Sequence, residues 1–261
     1  MRRRIALAFH GIAGGMQGPN NTGLPVDIAT CAKLIKKHLI GNNQCDVFVH
    51  TWSPERKDEI VSLYQPIACQ CEPQEMFGYS TENLQFIPGF NDCSKFRSTS
   101  RFVSLSRAMQ LVESHEDAQN FKYDLVMVLR LDLVFLSTVN WDQLDPSCIY
   151  LCQEPHWPNI HNLGMCHDLF FLSCSENMRK IGNVGFEILA GKHADILHEP
   201  HFVAYYKVIS TVLASKILFL FERYKDVEIM RFVEHPEQNQ FAALYGGHAL
   251  KDRMVKEMEG L

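Results

Sequence analysis

The segment Tyr123-Asp124-Leu125-Val126-Met127-Val128-Leu129-Arg130-Leu131-Asp132 constrains this chain more than any other. Five apolar residues in a row, Leu125 to Leu129, with Leu131 beyond them, read as a strand covered on both faces. Such a strand belongs to a parallel sheet held between helices. Arg130 and Asp132 then arrive together where the strand should emerge. Burying either charge without a partner is costly. Open α/β sheets bind ligands outside the carboxyl ends of their strands. Residues two apart on a strand share a face, so Arg130 and Asp132 can point at one object. Two readings stay open here. Asp132 holds a hard divalent cation while Arg130 grips a phosphate, or the two form a simple ion pair at a strand end.

The rest of the chain repeats the pattern of buried strand and helix. Arg2-Arg3-Arg4 before Ile5 to Phe9 imitates a signal peptide, but the apolar run is short and His10-Gly11 follows it, so it reads as a first buried strand. Glycines 14, 15 and 18 make a loop, and a helix is expected from near Pro25 to Gly41, with Ile28, Cys31, Ala32, Ile35 and Leu39 on one face. Val47 to Val49 is the second strand, running into His50-Thr51-Trp52-Ser53. Residues 54–97, with Pro66, Pro73 and Pro88, are expected to be irregular and superficial. A second helix is expected from Ser100 to Glu116, and further strands at Cys148–Cys152 and Leu169–Leu172. Ser173-x-x-Glu176 resembles a capping box for a helix ending at Gly191. Phe202 to Phe221 reads as a buried helix, since Lys207 and Lys216 interrupt it and a membrane span needs about 18–20 uncharged residues. A last strand is expected within Val227–Val233. The alternation predicts one α/β domain with a mostly parallel central sheet flanked by helices.

Composition narrows the partners. With 25 Lys and Arg against 30 Asp and Glu, the net charge of −5 gives no broad attraction to a phosphate backbone, which argues against general nucleic-acid binding. The nine cysteines are an odd, scattered set, several inside apolar runs, and read as reduced thiols of a cytoplasmic protein. Cys69-x-Cys71 lacks a second pair for a zinc site, and His156, His161 and His167 match no standard metal spacing.

Three further segments could carry chemistry. Asp168 opens an apolar strand after a loop rich in His156, Trp157, His161 and Gly164; it could act as general base, orient a substrate hydroxyl, or merely cap backbone groups. Ser98-Thr99-Ser100-Arg101 leads a helix that carries Ser104 and Arg107. A hydroxyl-rich helix start with an arginine one turn in can receive an anion, or serve only as a cap. The glycine loop after His10-Gly11 lacks G-K-[ST], only approximates a dinucleotide fingerprint, and has no G-x-S-x-G to accompany an esterase reading.

In order, Asp46-Val47-Phe48-Val49-His50-Thr51-Trp52, Ser100-x-x-x-Ser104-Leu105-x-Arg107-Ala108, Lys122-Tyr123-Asp124-Leu125-Val126 with Arg130-Leu131-Asp132-Leu133, and His167-Asp168-Leu169-Phe170 resemble a family of GT-A-like glycosyltransferases of bacterial polysaccharide gene sets and large DNA viruses. The likeness covers roughly residues 4–190. It implies a nucleotide-diphospho-sugar transferase fold, with residues 1–135 binding the nucleotide sugar and residues 136–261 forming the acceptor part and a helical tail. It implies metal-assisted transfer of a sugar from a nucleotide-diphosphate donor to a glycan hydroxyl. Asp132 stands at the last aspartate of the family's D-x-D, which binds Mn²⁺ or Mg²⁺, and Arg130 replaces the first. Asp124 does not fill the gap, because eight strand residues span about 26 Å. His235 and His248 are candidates for a further metal ligand. His10, Gly11, Thr51 and Trp52 would surround the nucleoside, with Trp52 either stacked on the base or structural. Ser104, Arg107 and Arg130 would face the donor, and Asp168 the acceptor hydroxyl. Two alternatives accompany this reading: a non-catalytic relative that binds a nucleotide sugar or a partner, and a Rossmann-type enzyme using a dinucleotide or S-adenosylmethionine.

Overall fold

A computed structural model of the chain describes residues 3–13, 26–41, 43–79, 91–153, 165–213, 216–230 and 247–259, with the side chains of 91–94 and 247–248 excepted. In chain order the elements are β1 (Ile5–His10), α1 (Ile28–Ile35), β2 (Cys45–Thr51), α2 (Lys57–Tyr64), β3 (Ala68–Cys71), α3 (Asn91–Gln119), β4 (Leu125–Arg130) and β5 (Leu133–Phe135). Then come β6 (Ile149–Gln153), β7 (Phe170–Ser173), α4 (Ser175–Gly182), α5 (Val184–Leu189), α6 (Pro200–Ile209), β8 (Ile217–Glu222), β9 (Val227–Ile229) and α7 (Gly247–Glu259). Seven strands form one sheet in the order β3-β2-β1-β4-β7-β6-β8, in which β7 alone runs against the rest. β5 and β9 make a separate antiparallel ribbon. This is the expected Rossmann-like α/β architecture with a mostly parallel sheet.

The alternation of side chains explains the two-sided core. Ile5, Leu7 and Phe9 of β1 with Leu125, Met127 and Leu129 of β4 face one apolar layer that includes α1. Ala6, Ala8, Phe48, Val126 and Val128 face the other, built on Phe102, Leu105, Met109 and Val112 of α3. Small residues clamp α3 in place. A Cβ on Gly185 of α5 would run into the backbone of Phe102 and Val103, and one on Gly182 would meet Met109 at 2.8 Å. The Gly185 N–H donates to the Ser106 hydroxyl at 2.8 Å. That close approach fixes how α3 presents its next polar face to the carboxyl edge of the sheet.

Several expectations need correction. The described parts of 54–97, residues 54–79 and 91–97, are not irregular: they hold a 3₁₀ turn (Pro54–Arg56), α2, the edge strand β3 and the start of α3. The signal was weak because α2 buries only Ile60 and Tyr64, and β3 is a four-residue, half-buried edge strand. α3 begins at Asn91, so Ser98 to Ser100 lie inside a helix and not at its start; Thr99 returns its hydroxyl to the Lys95 carbonyl at 2.8 Å. The capping box fails too. The Ser173 hydroxyl donates to the Cys148 carbonyl at 2.7 Å, and the helix breaks in two at Asn183 before ending near Gly191 (φ +83°). Phe202 to Phe221 splits into α6 and β8, so it is no single helix. The loop glycines 14, 15 and 18, Pro25, and the stretch holding His156, Trp157 and His161 lie outside the described residues, as do His235 and the side chain of His248. Among the described residues no helix is long and apolar enough to cross a membrane. None of the eight described cysteine side chains is in a disulfide.

Candidate functional site

The chain lays down β1, β2 and β3 outward in order, then returns through α3 to place β4 on the other side of β1. The carboxyl ends of β1 and β4 therefore flank the point where the strand order reverses, the usual ligand crevice of open α/β sheets. His10 ends β1 and Arg130 ends β4, and the two are in register. Because β7 runs backward, the residues that enter it reach this same edge: Leu129 pairs with Phe170, and the Arg130 N–H donates to the Leu169 carbonyl at 3.4 Å. Asp168 is thereby delivered beside Arg130.

Two ion pairs meet there. The Arg130 fork grips Asp132 with Nε on Oδ1 at 2.7 Å and Nη2 on Oδ2. Asp168 is buried against Arg101 of α3, whose Nη2 donates to the Asp168 carbonyl at 2.5 Å. The Arg101 Nη1 lies on Asp168 Oδ2 as an ion pair whose alignment falls short of a hydrogen bond. Asp168 Oδ1 faces His201 Nδ1 at 3.5 Å, and the His201 ring meets His167 edge-on at 5.2 Å. A third pair, Arg223 with the fully buried Glu228 (Nε–Oε2 3.0 Å), follows β8.

His10 sits among these charges, 1% exposed, and among the described residues neither ring nitrogen has a hydrogen-bond partner. Burial, then the Arg101 and Arg130 guanidiniums, push its pKa well below the usual histidine value, overriding Asp168 and Asp132. The ring is neutral at pH 7, with one N–H and one lone pair unused. Burial pushes the Asp168 carboxyl up, but Arg101, His201 and Arg130 outweigh it and hold it at about 2.

A second network adjoins the first. His50 of β2 bonds to the Ser104 hydroxyl (Nδ1, 2.7 Å) and Glu72 (Nε2, 2.9 Å). Glu72 also meets the Arg107 guanidinium, whose Nη2 donates to Glu75 at 2.6 Å. Arg107 lies over the Trp52 ring at 4.9 Å, and the Trp52 Nε1 donates to the Ser100 carbonyl at 3.1 Å. Gly11 joins the two networks. At φ +102°, a conformation that favours glycine, its N–H donates to Ser104 Oγ at 2.8 Å while its carbonyl accepts from the Trp52 N–H at 3.1 Å.

The residues expected to serve the catalytic, donor and metal sites thus divide. His10, Arg130, Asp132 and Asp168 converge on the crevice. Ser104, Arg107 and Trp52 are engaged with protein partners, and Thr51 accepts the Ser53 N–H on Oγ1 at 3.2 Å. Arg101 was visible in the sequence only as part of an anticipated helix start; that it reaches Asp168, 67 residues away, had no sequence signal. His50, Glu72, His201 and the Arg223–Glu228 pair were missed, and only His50, a polar residue closing an apolar strand, carried a hint. A separate concavity of about 370 Å³, lined by Lys36, Asp46, Tyr64 and Gln65 among others, lies at the amino end of β2, away from this cluster.

The donor set does not suit a resident divalent cation. Mn²⁺ and Mg²⁺ are held by carboxylates whose charge is not already neutralised by a fixed cation. Both Asp132 oxygens lie on the Arg130 fork, and Asp168 is held by Arg101. Arg130 also brings a fixed positive charge onto Asp132 itself.

No protein-family model matches the chain, and a search of curated proteins gives no match.

Proposed function

We propose that this protein is a glycosyltransferase that moves a sugar from a nucleotide-diphosphate donor to a glycan hydroxyl. The observation that carries the reading is the convergence of His10, Arg130, Asp132 and Asp168 at the strand-order reversal, around a histidine whose hydrogen bonds are unmade. A cationic group preset beside a crevice stabilises the negative charge that develops on a departing nucleoside diphosphate, and it does so without reorganising during the reaction. Arg130 has that role. Asp168 faces the acceptor side. A carboxyl held near 2 is a weak base at pH 7, which favours alignment of the acceptor hydroxyl over proton abstraction. His10 and Gly11 border the nucleotide, while Thr51, Trp52, Ser104 and Arg107 shape the wall behind them. The low basicity of Asp168 also favours a second reading, a GT-A-like domain that binds a nucleotide sugar without turnover.

The experiment is a donor-consumption assay with UDP-, GDP- and CDP-sugars, alone and with a mixed panel of glycan acceptors. Release of one nucleoside diphosphate that rises with acceptor and falls at least about 100-fold in Asp168→Asn supports the transferase. Binding of a nucleotide sugar with no release under any condition supports the second reading.

A further inference from the structure

The strongest feature that the reading above leaves unexplained is the way Asp132 is used. Its two oxygens take Nε and Nη2 of Arg130, which fixes the guanidinium plane. The opposite edge, at Nη1, has no hydrogen-bond partner among the described residues, and the side chain keeps 17% of its surface exposed. Beside it, His10 is almost wholly buried and offers one N–H and one lone pair that no described residue engages. A buried polar ring left unsatisfied costs stability, and such a cost is met when a ligand supplies the partner. A guanidinium with one edge pinned and the other open is set for fork-like recognition of a phosphate.

We infer that the open edge of Arg130, together with the His10 ring, receives the donor diphosphate directly, and that Asp132 is a positioning residue for Arg130 and no cation ligand. This inference rests on the transferase reading and adds to it: nucleoside diphosphate binding is independent of divalent metal. The two roles for Asp132 make opposite predictions. As a cation ligand, Asp132 is essential to diphosphate binding. As the counter-charge of Arg130, it competes with the diphosphate. An asparagine still accepts the Nε hydrogen bond but no longer neutralises the guanidinium, so the incoming anion meets a stronger positive charge.

The test is isothermal titration of the full chain with UDP, GDP and CDP, in EDTA and in Mn²⁺. The expected result is that one of the three binds with affinities that agree within about twofold in the two buffers. Asp132→Asn then binds it at least about threefold tighter, and Arg130→Gln at least about tenfold weaker. The comparison of buffers on the unaltered protein needs no variant to fold. Binding that requires Mn²⁺ and disappears in Asp132→Asn overturns this inference and leaves the transferase reading standing. Binding of none of the three in either buffer overturns both.

Discussion

Two buried histidines on neighbouring strands have opposite fates. His10 lies one residue beyond the last β1–β2 pair, Phe9 with Val49, and His50 directly follows Val49. Their exposures are 1% and 0%. Both have their pKa lowered, chiefly by burial. Yet both His50 nitrogens are engaged, by Ser104 and Glu72, while both His10 nitrogens lack a partner among the described residues. A neutral ring with its proton on Nε2 satisfies the His50 contacts. One histidine is a finished piece of architecture that fixes β2 against α3. The other has the surroundings of architecture and none of the hydrogen bonds. The difference separates a site that holds itself together from one that is completed by something else, and burial alone would not have distinguished them.

The sharpest way to break that comparison is to remove a charge beside His10. Arg101→Ala leaves Asp168 as a buried carboxylate without its guanidinium. Loss of one member of a buried pair costs about 3–5 kcal/mol, and urea unfolding should report a change of that order. A loss under about 1 kcal/mol would mean that Asp168 is not buried as described.

Replacing each ring by leucine should divide the two histidines. His50→Leu removes the hydrogen bonds to the Ser104 hydroxyl and Glu72, and should cost about 1–3 kcal/mol in the same measurement. His10→Leu removes two buried nitrogens that make no hydrogen bond among the described residues. It should be near neutral or slightly stabilising, because no hydrogen bond is lost. Equal losses at both positions would erase the distinction.

A smaller effect follows from pH. A histidine whose folded pKa is depressed stays neutral in the native state while the unfolded chain protonates around 6.5, so the unfolded state binds more protons below that value. Stability should therefore fall as pH drops below about 6.5. Part of the slope should vanish in His10→Leu, with folded-state contributions from His50 and His38 remaining. Asp168 contributes with the opposite protonation. Its carboxyl, held at about 2, stabilises the native state at all pH values above the ordinary aspartate pKa, and that contribution is lost as pH falls toward about 2. Denaturant midpoints between pH 8 and pH 3 would resolve the two phases.

The legible part of this molecule was the part whose burial is two-sided. β1, β2, β4 and β7 announce themselves as apolar runs, and the seam of α1 follows from Ile28, Cys31, Ala32 and Ile35 at helical spacing. The edge strands β3 and β8 did not, because Ala68–Cys71 is only four residues long and half-buried, and Ile217–Glu222 follows α6 closely enough that the two read as one helix. Of the site, Arg130 with Asp132 was legible because two charges closing an apolar strand demand an explanation. The Arg101–Asp168 pair was not, since it depends on how Gly182 and Gly185 let α5 and α4 seat α3. The idle nitrogens of His10 are a property of what surrounds them in space, and no local pattern carries that information.

The central claim is that the crevice around His10 binds a nucleoside diphosphate. It is tested most directly by thermal shift of the unaltered protein and His10→Leu, each with UDP, GDP and CDP. A ligand that binds the native state at 100 times its Kd stabilises it by about 2.7 kcal/mol. One of the three should raise the melting temperature of the unaltered protein by several degrees and leave His10→Leu, itself no less stable, almost unmoved. A rise of the same size in both proteins, or none in either, would contradict the account.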